Sequence, residues 1–297
     1  MKDEDVFDDL IPPSPISRRE FTMLSIAAGM AAATRLDAAP TGAPVAVTDV
    51  EIRTPSGICD AALACPKGTG HWPAVIMFPD AFGLRATMRE MAGRLAAAGY
   101  AVLVPNPFYR STRAPGIGPK YDFQNPDDRA LLATLRAPLT DDGVAQDATA
   151  FTDFLDRLPA VNRKARMGVI GYCMGGRMTM QAAAAVPGRI GAGASFHGGG
   201  LVTDKPDSPH LLVPRIKARY YFGVAGNDDG REPDAKVKLA EAFRTAGLAA
   251  KIDVYAGTLH GWCIRDMPSQ GDKPVYNELQ AERAWSELLA LFKLALA

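Results

Sequence analysis

From residue 45 onward, apolar and polar positions follow two alternating periods, and the alternation predicts the elements. Residues 45–53 and 58–65 read as two strands joined by Thr54-Pro55-Ser56-Gly57, a sequence suited to a hairpin turn. Residues 73–78 are a nearly continuous apolar run, as expected of a strand that a parallel sheet buries on both faces. A helix over 84–99 follows, with Met88, Met91, Ala92 and Leu95 at three- and four-residue spacing and Gly99 closing it. Residues 100–104 form the next strand. The stretch 105–138 is rich in Pro, Gly, Arg and aromatic residues, with a short helix at 127–135, and its length suits a segment that covers a site. Asp141 or Asp142 can cap a helix reaching residue 158, whose Val144, Ala148, Phe151, Leu155 and Leu158 make one apolar stripe.

The apolar run 167–170 then enters Gly171-Tyr172-Cys173-Met174-Gly175-Gly176, and a Met- and Ala-rich helix over 174–186 leaves it, ended by Pro187-Gly188. A small-residue strand at 190–196 leads into His197-Gly198-Gly199-Gly200, and a polar loop spans 201–214. Strands at 218–224 and 251–255 bracket a helix at 233–246, and a terminal helix over 274–296 turns Leu279, Trp285, Leu288, Leu289 and Phe292 inward. Strands and helices alternate repeatedly after the opening hairpin. This predicts an α/β fold, a single catalytic domain over 45–297 with a mostly parallel central sheet flanked by helices and an antiparallel N-terminal hairpin, and with its chemistry at the C-terminal ends of strands.

Residues 1–44 do not join that pattern. An acidic, Pro-containing start leads to Arg18-Arg19 and a mildly apolar run at 22–33, then to Ala/Pro/Gly-rich sequence. This reads as a twin-arginine-like export leader, with the export machinery as a partner, or as a disordered tail. The protein is expected in the periplasm or exported if the leader works, and in the cytoplasm otherwise. The apolar run is too short for a permanent membrane span. Composition adds exclusions: 33 basic residues balance 33 acidic ones, so no net field recruits nucleic acid. The spacing of the four cysteines forms no metal pattern, and Cys59 and Cys65, about 20 Å apart on one extended strand, are not expected to bridge. No dinucleotide fingerprint follows the first parallel strand, no metallopeptidase motif occurs, and no cofactor is expected.

Candidate chemistry lies past three strands. Only small residues allow a reversal as tight as 171–176, which would expose Cys173 at a helix N-terminus and offer the Met174 N–H to a developing oxyanion. Ala225-Gly226-Asn227-Asp228-Asp229 follows the second of these strands and Ala256-Gly257-Thr258-Leu259-His260-Gly261-Trp262 the third. Nucleophile, acid and histidine thus come in the chain order of the α/β-hydrolase triad, with Cys173 attacking, His260 moving the proton and Asp228 fixing the imidazole; Asp229 is the alternative acid.

These motifs, above all Gly171-Tyr172-Cys173-Met174-Gly175-Gly176 and Tyr255-Ala256-Gly257-Thr258-Leu259-His260-Gly261, resemble the dienelactone hydrolase family of α/β-hydrolases over roughly residues 45–297. The resemblance implies hydrolysis of small esters or lactones through Cys173, His260 and Asp228. It implies Ala81 beside Met174 as the second oxyanion donor. It also places Asp80 where the family has a glutamate near the resting cysteine, with a side chain one methylene shorter. The family's lactone hydrolase holds a substrate carboxylate with arginines, for which Arg110, Arg113 and Arg265 are candidates here, with Trp262 as a pocket wall or a packing residue. The other readings are a general carboxylesterase or thioesterase of the same architecture, and a catalytically silent binding protein.

Overall fold

The structure, a computed structural model, describes residues 43–118, 121–122 and 124–296. The leader reading, with Arg18 and Arg19, therefore lies outside the described residues except for residues 43 and 44. Strands β1 (Val45–Thr54) and β2 (Gly57–Pro66) pair antiparallel from Val45↔Pro66 to Thr54↔Gly57, which places the hairpin turn where the sequence predicts it. Strands β3 (Ala74–Phe78), β4 (Ala101–Pro105), β5 (Met167–Tyr172), β6 (Ile190–Phe196), β7 (Arg219–Ala225) and β8 (Ala250–Tyr255) complete an eight-stranded sheet in the order β1-β2-β4-β3-β5-β6-β7-β8. β2 meets β4 antiparallel, and every pairing from β4 through β8 is parallel. This is the α/β-hydrolase architecture.

Burial explains the apolar runs. Every residue of β3, β4, β5 and β6 is buried, because helices cover both faces of the sheet. One face carries α1 (Ala86–Ala97) and the terminal α7 (Glu278–Ala295), whose Met88, Leu95, Leu288 and Phe292 pack with Val75, Val102, Ile170 and Ala194. The other carries α3 (Asp141–Arg157) and α4 (Met174–Ala185), whose Val144, Phe151, Met178 and Ala182 pack with Ile76, Leu103 and Val169. The small residues of β6 make room for large neighbours: a Cβ on Gly193 would come within 2.2 Å of the Tyr220 ring. Among the described residues no helix is long and apolar enough to cross a membrane.

Three sequence expectations change. Thr140, rather than Asp141 or Asp142, caps α3, its side chain accepting the Gly143 N–H at 3.1 Å. The helix expected at 233–246 is present as α6 (Ala235–Thr245), but the loop before it, which carries both acidic candidates, is itself a short helix, α5 (Gly226–Arg231). Leu279 is not inward. The buried stripe of α7 runs Ala281, Ala284, Leu288 and Phe292, and Leu279 lies two residues before it, on the opposite side of the helix, 77% exposed. Helix α2 (Pro126–Arg136), capped by Asn125, sits in the long segment before α3.

The turn from β5 to α4 is the tightest packed point of the fold. A Cβ on Gly171 would lie 2.1 Å from the Gly175 carbonyl oxygen, whereas one on Gly188, past the end of α4, meets nothing within 4 Å. Gly171→Ala is expected to lower the urea unfolding free energy by about 2 kcal/mol or more, as overpacking against rigid backbone does, while Gly188→Ala changes it little. An unshifted urea midpoint for Gly171→Ala would mean that the turn can relax.

Candidate active site

Strand β5 delivers Cys173 to the N-cap of α4 with φ 51° and ψ −114°, backbone values that side-chain-bearing residues rarely adopt. Such a residue costs on the order of 1–3 kcal/mol and persists where its surroundings over-determine it. They do so here. Cys173 N–H donates to the Phe196 carbonyl at 3.1 Å, and Gly176 N–H donates back to the Cys173 carbonyl at 3.0 Å. A Cβ on Gly175 would fall 2.4 Å from the Phe78 carbonyl oxygen, and one on Gly176 would fall 2.6 Å from the Gly198 Cα. The helix start is thereby wedged against the ends of β3 and β6. The thiol is left partly accessible above the first turn of α4.

His260 comes from the turn after β8, and its Nδ1–H donates to Asp228 Oδ2 at 2.6 Å. Asp229, the next residue of α5, turns away and accepts Lys236 Nζ at 2.6 Å. A one-residue step around a helix moves a side chain by roughly 100°, so the two acids cannot serve the same partner. The other side of His260 meets Cys173. Burial works to lower the imidazole, but the hydrogen bonds with Asp228 and with the cysteine sulfur outweigh it and lift the pKa from 6.5 to about 10.

The loop after β3 forms the opposite wall. Ala81 and Met174 are both buried in one small apolar cluster with Phe108, Ile117, Leu132 and Leu135, and Cys173 and Phe82 pack against it. Asp80, in the place of the family's glutamate, is bound to Arg85. Its carboxylate accepts Arg85 Nη1 at 2.7 Å, Arg85 Nη2 at 3.0 Å and the Phe82 N–H at 2.9 Å. Burial pushes Asp80 above its ordinary value while Arg85 pulls it back, and two carboxylates hold the Arg85 guanidinium more firmly charged than usual. A bidentate pair with an always-charged guanidinium stays ionic. Arg85 also bonds Asp266 at 2.7 and 2.8 Å, so one side chain ties the loop after β3 to the loop that follows His260.

The arginines considered for substrate are engaged elsewhere. Arg110 is held by Asp147 at 2.8 and 3.0 Å and stacks over Tyr109, Arg113 pairs with Glu51 on the exposed hairpin, and Arg265 lies against Tyr276. Trp262 is fully buried, stacked on Tyr255 with centroids 4.7 Å apart, which is a packing role. A cleft of about 410 Å³, open to solvent, lies beside the loop after β3 between Phe82, Arg85, Ile117 and Pro268. A separate cavity of about 140 Å³ among Tyr172, Phe196, Cys263 and Trp285 touches none of Cys173, His260 and Asp228.

Sequence reasoning missed His197. It follows β6 with φ 41°, making it, with Cys173, one of two non-glycine residues of positive φ among the described residues. It is 1% exposed, its ring lies edge-on to His260 at 4.8 Å and to Trp262 at 5.4 Å, and neither ring nitrogen has a hydrogen-bond partner. Burial and the neighbouring His260 hold its pKa well below 6.5. The only signal in the sequence was its place just past a strand.

Sheet order, strained turn and acid–histidine pair together define an α/β-hydrolase. The chain belongs to the dienelactone hydrolase family, whose profile matches residues 59–296. It is a hydrolase of that fold with a cysteine and two histidines gathered at the site. It is 29% identical over 234 residues to the protein usf of Aquifex pyrophilus, covering 78% of this chain and 91% of that one. Among solved structures it resembles a dienelactone hydrolase-like promiscuous phosphotriesterase from metagenomic libraries (TM-score 0.69, 20% identity, 85% of this chain and 99% of that one). A dienelactone hydrolase from Anabaena variabilis gives a TM-score of 0.59 at 17% identity over the same shares.

His260 has a folded pKa above its unfolded value near 6.5, so the stability its ion pair contributes is complete below that value and is lost as pH rises through about 10. Histidine NMR titration is expected to show His260 protonated at neutral pH, with Asp228→Asn lowering its pKa and Asp229→Asn leaving it in place. A pKa unmoved by Asp228→Asn would assign the orienting acid elsewhere.

Proposed function

We propose that the protein hydrolyses carboxylic ester or lactone bonds of small organic molecules through a Cys173–His260–Asp228 triad. The observation that carries the reading is the 2.6 Å bond between His260 Nδ1 and Asp228, which leaves the other ring nitrogen for the cysteine at the strained turn. The sulfur, deprotonated by His260, attacks the acyl carbon, and the developing oxyanion is held by the backbone N–H groups of Met174 and Ala81. His260 returns its proton to the departing alkoxide, which for a lactone stays tethered to the acyl group. It then takes a proton from the water that attacks the thioester, releasing the acid and restoring the thiol. Asp228 fixes the tautomer and stabilises the imidazolium at both steps.

Within this reading the engagement of Arg110 and Arg113 in ion pairs favours uncharged acyl groups, hence a broad carboxylesterase or thioesterase over a hydrolase tuned to a carboxylate-bearing lactone. The apolar cluster of Phe108, Ile117, Leu132 and Leu135 beside Cys173 supports the same preference. The twin-arginine leader belongs to the proposal as well, with a periplasmic or exported mature protein.

Cys173→Ala is expected to abolish turnover of p-nitrophenyl acetate and of simple lactones while the far-UV circular dichroism spectrum stays unchanged; a variant that still turns over would reject the cysteine nucleophile. On a panel of substrates, simple acyl esters should exceed carboxylate-bearing lactones in kcat/KM, and the reverse order would restore the lactone-specific reading. For the leader, Arg18→Lys with Arg19→Lys should stop a shortened protein from appearing in the periplasm. Full-length protein confined to the cytoplasm in the unaltered strain would end that part of the proposal.

A further inference from the structure

The triad accounts for Cys173 and His260 and leaves His197 without a task, although it is buried in contact with the catalytic imidazole. One donor atom from each of the three residues, the cysteine sulfur and a ring nitrogen of each histidine, lies within 4.8 Å of the other two. We propose that Cys173, His197 and His260 form a reversible binding site for Zn²⁺, and that the bound cation silences the cysteine. The coordination does not depend on the proposed function; only its consequence for turnover does.

Three observations converge. Both ring nitrogens of His197 are buried without a hydrogen-bond partner, an arrangement that is expensive unless a ligand or an ordered water is received there. The two strained non-glycine residues, Cys173 and His197, end the adjacent strands β5 and β6 and bring their side chains to the same place. Asp228 already holds His260 through Nδ1, the carboxylate–histidine support that zinc-ligating histidines have, and so turns the remaining nitrogen toward the cysteine.

The donor set selects the ion. One thiolate and two imidazoles suit a borderline-soft cation such as Zn²⁺, and the absence of a carboxylate or carbonyl oxygen among the three disfavours Mg²⁺ and Ca²⁺. A cation centred among atoms no more than 4.8 Å apart lies within about 2.8 Å of all three. Zinc bonds of about 2.0–2.3 Å therefore require inward movements of about half an ångström or somewhat more per side chain. The fourth tetrahedral position stays open to water. As Zn²⁺ enters, the proton shared by Cys173 and His260 leaves to solvent, no group is oxidised or reduced, and the lone pairs used for attack and for proton transfer become metal bonds. Zinc binding and turnover then exclude each other. Sequence spacing hides the site because its ligands come from three separate strand ends.

The test titrates the chelator-stripped full chain with Zn²⁺ against a chromophoric chelator, and repeats it with Co²⁺ to read the thiolate-to-metal charge-transfer band. The expected result is one cation per chain and a single-thiolate band, both lost in Cys173→Ala. His197→Asn, a residue that tolerates a left-handed backbone, should weaken Zn²⁺ by about 100-fold, at or beyond the limit of what loss of a merely supporting hydrogen bond gives. Zinc binding that survives Cys173→Ala, or an affinity unchanged by His197→Asn, would overturn the site. If His197→Asn fails to fold, ¹⁵N shifts of the unaltered protein decide. Both His197 and His260 should move on saturation with Zn²⁺, and a stationary His197 would reject the assignment. Wild-type turnover of p-nitrophenyl acetate should stop with Zn²⁺ and return with EDTA. Binding by a protein that hydrolyses no ester would keep the site and reject the hydrolase reading, while turnover without any Zn²⁺ binding would do the reverse.

Discussion

The site depends on how closely the start of α4 approaches the backbone at the ends of β3 and β6. Gly171, Gly175 and Gly176 each stand where a single added carbon would collide with a neighbouring backbone or side-chain atom at under 3 Å. That approach does two things at once. It forces Cys173 into its positive-φ turn, and it brings the Phe78 and Pro79 carbonyls, where the loop bearing Asp80 and Ala81 begins, against the same turn. Cys173 and the loop bearing Asp80 and Ala81 are thus fixed by one packing contact. Flexible side chains could not hold such an arrangement, because burying a backbone contact leaves no rotamer to relax.

Arg85 supplies the second constraint. It sits at the N-cap of α1 and bonds Asp80 in the loop after β3 and Asp266 in the loop after β8. The loop that carries Ala81 and the loop that carries the histidine are thereby joined by charge-assisted bonds rather than by apolar contact alone. Asp80 is 1% exposed, so its charge would be costly without that partner. The pairing makes the buried carboxylate a fixed brace.

Much of this was legible in the sequence because period and turn chemistry report local geometry. The hairpin, the all-buried strands and the turn at 171–176 follow from patterns within a few residues, as does the histidine just past the last strand. What the sequence left open depends on phase or on partners far along the chain. Asp228 and Asp229 are adjacent, and only the helical pitch of α5 and the position of Lys236 separate them. Leu279 looked inward because it is apolar, yet the stripe that α7 buries is set by the sheet. Arg110 looked free, and its partner Asp147 lies 37 residues later on a helix that the sequence placed but could not orient. His197 was unreadable as chemistry because a histidine before three glycines has no local signature.

Residue 80 departs from the family pattern in both length and partner. In the family comparison an acid stands near the resting sulfur, where a second negative charge would oppose the thiolate. Here the acid is shorter by one methylene, and both of its oxygens are committed to Arg85 and to a backbone N–H. Arg85 therefore neutralises the buried carboxylate and leaves neither of its oxygens free. Cys173 stands at the N-terminus of α4 beside His260, and His260 is held charged by Asp228. The Asp228–His260 bond and the contact of His260 with Cys173 form one continuous chain of polar contacts across the ends of β7, β8 and β5.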